Sequence, residues 1–359
     1  MESLLIYVSV FIITYFINVF AGNIYERKKI LSNILIIGSF LILLIFVGGR
    51  YYVGTDYESY INMYNNIASL DFNELNLINI EIGAKILFKV IYLLFDNQYF
   101  IFIGLAFLTL YPLYKANKLY NYKYLGLSIL TYCFMFLPFS MNGMRQGVAM
   151  SFVILSFANL FKDKKINMVI SFVLAFLFHK SSILILPYLI IFIFEKNSYA
   201  EMISIALTLV ITILLLFFNN ILMSIGIISD YEYLISNLNI SSVSFRNLLL
   251  YLPFLLIMIS YKTQNEKHID EMNGLVISGL ILNLIGTMKP YLTRISHYHL
   301  MVLTFLMPVL IQNINNKTNK TIIQIFYIIY LIIFFTYEFY ITGMHEIFPY
   351  QSWLIGIGG

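Results

Sequence analysis

The chain has 359 residues, of which 60% are hydrophobic and 11% charged, and its mean hydropathy is +0.83. Soluble globular domains carry about a quarter charged residues, so this composition excludes a water-soluble enzyme and points to an all-α, polytopic integral membrane protein. The net charge of +4 is modest and no nucleic-acid partner is expected; the single cysteine, Cys133, excludes an internal disulfide and a thiolate metal site.

The chain opens on Met1-Glu2 and runs directly into apolar sequence, without a basic leader or a small-residue cleavage site. A removable signal peptide is therefore not expected, and the first run stays as a helix. Apolar runs near 3–22, 30–49, 98–114, 125–141, 147–161, 166–178, 181–194, 200–218, 245–261, 270–287, 295–312 and 320–337 predict about twelve transmembrane helices. No polar block is large enough for a soluble domain, so residues 1–359 read as one membrane domain with outer loops at about 50–97 and 219–244. If the first span runs inward, one set of alternate loops holds fourteen of the 22 basic residues, among them Arg27, Lys28, Lys29, Lys162, Lys164 and Lys165. The positive-inside rule makes those loops cytoplasmic and places both termini outside.

Two segments decide this count. Residues 81–95 are short for a span, and Lys85 and Lys89 fall at i and i+4, which predicts an amphipathic helix at the outer interface. Residues 166–194 read either as two short or re-entrant segments meeting at His179 or as one kinked helix, and the later charges favour two.

With this topology Arg50, Asp56, Glu81, Arg145, His179, Arg294 and His297 all land on the outer side. Ionisable groups at membrane depth are costly, and their convergence on one face makes them candidates for a substrate site. Each alone also fits interfacial anchoring. Arg145 lies in Ser140-Met-Asn142-Gly-Met-Arg145-Gln146-Gly147, which joins two apolar runs almost without a loop. A planar guanidinium binds phosphate oxygens bidentately, and Asn142 and Gln146 add amide donors beside it. His179, before Lys180-Ser181-Ser182, is the natural proton carrier near neutral pH. Asp56 and Glu58 lie among Tyr51, Tyr52, Tyr57, Tyr60 and Tyr64, whose rings fit a sugar platform or an interfacial belt. Arg294 and His297, three residues apart, share one helical face. His345-Glu346 lacks the second histidine of a zincin motif, and no phosphate-binding GxxxxGK[ST] loop occurs. Neither a metal nor a cofactor is expected.

Four pieces in order then resemble the EpsG and Wzy-like group of bacterial polysaccharide polymerases: Arg50-Tyr-Tyr-Val-Gly54-Thr55-Asp56-Tyr57-Glu58-Ser59-Tyr60; Glu81-Ile-Gly83; Asn142-Gly-Met-Arg145-Gln146-Gly-Val-Ala149; and Ala175-Phe-Leu-Phe-His179-Lys-Ser181-Ser182 running on to Pro187. The likeness covers roughly residues 1–310. It implies a GT-C-like, multi-span glycosyltransferase at the outer face of a bacterial cytoplasmic membrane, joining undecaprenyl-diphosphate-linked repeats into exopolysaccharide, capsule or O-antigen. A flippase and a chain-length regulator of the same pathway would be its partners. Under this reading Arg145 and Arg50, with Arg294 third, bind the diphosphate, and Gln146, Asn142, His297 and Tyr57 line the substrate site. His179 is the first choice as base, with Asp56 and Glu81 as alternates; Asp56 equally suits an ion pair with Arg50. A lipid-linked-sugar flippase, a membrane acyltransferase and a non-enzymatic assembly partner remain as rival readings.

Overall fold

A computed structural model describes residues 1–194, 199–217, 246–261 and 268–356, and the described part is helical. Two long apolar helices, α1 (Glu2–Ile24) and α2 (Lys29–Gly48), lead to a short α3 (Tyr57–Ala68) and to α4 (Ile82–Phe95). The bundle continues through α5 (Phe100–Asn121), α6 (Leu125–Met135), α7 (Leu137–Asn142), α8 (Met144–Phe161) and α9 (Lys165–Phe178). After a 3-10 turn at Lys180–Ile185 come α10 (Leu186–Phe194) and α11 (Ala200–Phe217). The last part comprises α12 (Arg246–Ser260), α13 (Ile269–Gly286), α14 (Pro290–Leu300), α15 (Leu303–Gln312) and α16 (Lys317–Phe335).

Each predicted apolar run becomes helical where it is described, but among the described residues seven helical stretches pass as spans by length and composition, or eight when α14 and α15, bent by 45°, are one span. The sequence count of twelve exceeds this for two reasons. The helices Lys165–Phe178, Lys180–Phe194 and Leu249–Ser260 are shorter than the roughly 20 residues of a straight crossing. The runs at 98–114 and 125–141 fuse into one helical stretch, Phe100–Met135. That stretch doubles back: α5 starts with Phe102 under Arg50 and ends with Tyr122 bonded to Glu26, whereas α6 climbs along α1 until Phe134 meets Phe11 at 5.2 Å. The predicted outer loop at 219–244 lies outside the described residues.

Side chains explain the packing. Asn18 on α1 donates to Ser39 on α2 at 2.6 Å, and Ser39 lies 2.7 Å from the hydroxyl of Tyr114 on α5. Such interhelical polar pairs hold helices that gain little from burying apolar surface in lipid. Phe16 and Phe20 on α1 and Ile34 and Ile37 on α2 are exposed, as lipid-facing positions are. Helix ends sort to two sides of the bundle. Tyr7, Arg50, Asn142 and His345 lie at one end; the turns carrying Arg27, Lys28, Lys123, Lys162 and Lys164 lie at the other.

The segment 81–95 is indeed a short helix, but its polarity is reversed from that of a surface amphipath. Lys85 and Lys89 are buried while Ile82, Ile86, Leu93 and Leu94 are exposed. Lys89 points inward because its ammonium caps the carbonyl of Ala68, 3.1 Å away, at the end of α3, and reaches that of Leu70 in the turn that follows. Residues 166–194 form two segments: His179, in extended geometry (φ −158°, ψ 115°), breaks α9 from the following 3-10 turn.

Candidate active site

Three helix ends converge on one carboxylate. Glu81, at the N-cap of α4, is 4% exposed. Its Oε2 accepts from Nη1 of Arg145 on the first turn of α8, and its Oε1 lies 2.8 Å from Nδ1 of His179 at the end of α9. The backbone N–H of Lys180 donates to the same Oε1 at 3.3 Å. Burial raises the Glu81 carboxyl, but the His179 hydrogen bond and the Arg145 charge outweigh it and hold the group well below the usual carboxylate range. An ionised carboxylate only accepts, so the proton in the His179–Glu81 bond resides on Nδ1.

Local sequence builds this meeting. Gly83 lets α4 touch α9: a Cβ there would stand 2.7 Å from the Leu177 carbonyl and 3.0 Å from the Phe178 ring. The short α7 and the turn at Gly143 aim the first residues of α8 at α3, where the hydroxyl of Tyr60 accepts from the Arg145 N–H at 3.2 Å. Burial pushes the Tyr60 phenol up, so it stays neutral. Next to Arg145, Gln146 donates to the Arg294 carbonyl at 2.7 Å, which ties α8 to α14. Ser181 and Tyr298 lie 3.2 Å apart between the His179 turn and the same α14.

A second group adjoins the first. Phe139 on α7 lies between His297, 4.3 Å between ring centroids, and His345, 5.7 Å. His345 is pushed down to about 4 by burial and then by the Arg294 charge. Asn142 bridges outward: its Nδ2 donates to the His345 carbonyl at 2.9 Å and its Oδ1 accepts from the Asp56 N–H at 3.3 Å.

Three residues expected in the substrate site or as its base are placed differently. Arg50 is 0% exposed, and its guanidinium donates to the carbonyls of Val53 (3.2 Å), Val47 (2.7 Å) and Met141 (2.7 Å), with Phe102 at 4.9 Å below it. Its donors are engaged by backbone, which corrects the expectation of a diphosphate ligand. Among the described residues no ion pair joins Arg50 to Asp56, which instead caps the start of α3 by position and receives Thr55 Oγ1 at 3.4 Å. Tyr57 is 3% exposed and stacked on Phe102 at 4.1 Å, so it presents no face to a sugar ring. The reason lies in the C-terminal segment. Trp353 N–H donates to Gly49, Tyr51 N–H to Gln351 and Gly54 N–H to Glu346, all within 3.1 Å, and Arg50 and Ser352 form an isolated antiparallel bridge. Gly54, at φ +101°, leaves room for Asn142 Oδ1, which a Cβ would meet at 2.5 Å. Residues 345–353 thus cover Arg50 and Val53, while Tyr52 and Thr55 of the same segment stay exposed.

Sequence reasoning offered Tyr60 only as one ring of a sugar platform or belt and missed its hydroxyl's bond to the Arg145 N–H, the Lys180 amide and the sealing segment. The spacing of Tyr57, Tyr60 and Tyr64 at i, i+3 and i+7 could have flagged one buried helical face. Among the described residues no group of three or more His, Cys, Asp or Glu side chains could hold a metal.

Helices of this number and apolarity make the chain a multi-pass membrane protein. Its sequence matches the EpsG family over residues 33–352, nearly the whole chain, and it belongs to that family, a Wzy-like group of polysaccharide polymerases. No curated protein and no solved structure matches it significantly.

Proposed function

We propose that the chain polymerises undecaprenyl-diphosphate-linked oligosaccharide repeats at the outer face of a bacterial cytoplasmic membrane. The observation that carries this reading is the convergence of Glu81, Arg145 and His179 from three helices at one end of the bundle. The opposite end carries the lysine-rich turns, which the positive-inside rule assigns to the cytoplasm. Counting α5 and α6 separately and letting the three short apolar helices cross gives twelve crossings, with the triad and both termini outside.

In this mechanism the growing glycan on its lipid diphosphate is the donor, and a hydroxyl of the incoming repeat attacks the anomeric carbon. The C1–O bond to phosphate breaks, the lipid diphosphate departs with the electron pair, and the acceptor's proton passes to the base. Negative charge grows on the leaving oxygen, and preplaced cations in a poorly hydrated site are the strongest means of stabilising it. Arg145, oriented by Glu81, takes this part, with Arg294 as a second cation on α14, whose backbone Gln146 ties to α8. His179 receives the proton at Nε2, because Nδ1 is committed to Glu81 and holds the ring in place. Glu81 is then a positioning residue, Asp56 has no part in the proton transfer, His297 borders the substrate, and Asn142, whose amide is engaged by the His345 carbonyl and the Asp56 N–H, holds the backbone at the edge of the site.

The test is a reconstituted assay with purified protein and lipid-linked repeat, without nucleotide. A ladder of polymer is expected, and it should vanish in His179→Gln at neutral pH. A wild-type preparation that yields no ladder overturns the polymerase reading; full activity in His179→Gln removes the histidine from it.

A further inference from the structure

A cleft of about 550 Å³ opens between α3, the C-terminal end of α4 and the segment leading into α5. Its size falls among small-ligand sites. The lining includes the aromatic side chains Tyr64, Tyr92 and Tyr99 and the polar side chains Asp96, Asn97 and Gln98. No lysine or arginine lines it, so it complements the cationic triad and does not duplicate it.

Three features mark it as built. Tyr64 is 4% exposed, and its hydroxyl has no hydrogen-bond partner among the described residues, a rare condition for a buried phenol. Asp96 is held at φ +45°, a left-handed geometry uncommon for a residue with a side chain, at the last turn of α4. Asn97 Oδ1 accepts from the Tyr99 N–H at 2.9 Å, which fixes the short loop between the two helices.

The cleft is also close to the chemistry. Tyr60, whose hydroxyl meets Arg145, and Tyr64 are four residues apart on α3, about 6 Å along the helix. We propose that this cleft is a glycan subsite, in which the half-buried rings of Tyr92 and Tyr99 stack on the apolar faces of pyranose rings while Asp96, Asn97 and Gln98 bond to sugar hydroxyls. It holds the non-reacting part of a lipid-linked glycan while its end occupies the triad. With one carboxylate and no cation in the lining, it selects neutral or N-acetylated sugars over uronic acids. The inference rests on the polymerase reading, but binding here is measurable without turnover.

Trp353 is the chain's single tryptophan and lies 5.6 Å from the ring of Tyr99, which makes it an internal reporter. Full-length protein in nanodiscs is titrated with oligosaccharides released by mild acid from the host strain's own polysaccharide, with calorimetry and Trp353 fluorescence as readouts. Saturable binding is expected, weakened tenfold or more in Tyr92→Leu and in Asp96→Asn, and kept in His179→Gln. In the polymerisation assay the same cleft variants should make shorter chains. Gln98→Ala, the mildest change, controls for folding and should also weaken binding. Wild-type ladders with flat calorimetry up to millimolar oligosaccharide overturn the subsite and leave the polymerase standing. Binding that survives with no ladder in any preparation does the reverse.

Discussion

Arg50 and Arg145 look alike in the sequence, each within two residues of a glycine at the mouth of an apolar helix, yet the two regions that hold them are built differently. Around Arg50 the chain closes over the guanidinium, three carbonyls receive its donors, and residues 345–353 cover it. Around Arg145 the partners are side chains from other helices, a carboxylate and a phenol, at a junction beside an open cleft. An arginine bonded to carbonyls holds loops together; one bonded to a carboxylate keeps its charge oriented for something else. The lesson is that depth alone does not identify a functional cation, and the partner atoms do.

Removing Arg50 is the harshest way to test this contrast. Arg50→Met leaves three buried carbonyls unpaired and should destabilise the fold by on the order of 3–5 kcal/mol. Membrane-inserted protein should fall steeply, and what remains should melt well below wild type in detergent. Normal folding with no polymer would return Arg50 to the substrate site. Arg145→Lys probes the other arm: the charge stays near Glu81, so the thermal midpoint should change little. Polymer yield should fall about 100-fold or more, because a point charge cannot reproduce a planar fork of donors. Equal losses of stability in both variants would erase the distinction.

Much of this was legible in the sequence. The apolar runs gave the helices, and the motif pieces holding Glu81, Arg145 and His179 do meet, because each sits at a helix end on the same side of the bundle. What stayed hidden depends on long-range backbone pairing. Nothing local in Tyr350-Gln-Ser-Trp353 announces that it pairs with Gly49 and Tyr51, and so nothing announced that Arg50 and Tyr57 would be sealed. The burial of Lys89 was hidden for a related reason, since the carbonyls it caps belong to another helix. Span number stays coarser, because Lys165–Phe178, Lys180–Phe194 and Leu249–Ser260 are apolar but too short to be counted as crossings by length.

A milder probe is Gly83→Ala. The added methyl meets the Leu177 carbonyl at 2.7 Å and must push α4 from α9, drawing Glu81 away from His179. Misplacing a catalytic group by about 1 Å costs up to about 100-fold, so polymerisation should drop tenfold to a hundredfold while the protein still folds. The matching change in the sealed region, Gly54→Ala, strains φ +101° and crowds Asn142, and should lower stability more than rate per folded molecule.

The smallest expected effect separates the regions by pH. His345, in the sealing segment beside Phe139, titrates near 4 in the folded chain against an ordinary 6.5, because burial and then the Arg294 charge oppose its protonation. Between those two values the unfolded chain binds a proton at this position that the folded chain does not. Stability therefore holds above about 6.5 and declines on acidification toward 4. In His345→Asn that part of the decline should be missing, so the melting temperatures of mutant and wild type should converge or cross as pH falls through this window. Parallel curves would mean that His345 is solvated and that the sealing segment stands off Phe139. Polymerisation per folded molecule should be nearly unchanged in this variant at neutral pH, since the residue clamps the sealed region through its backbone carbonyl and Asn142.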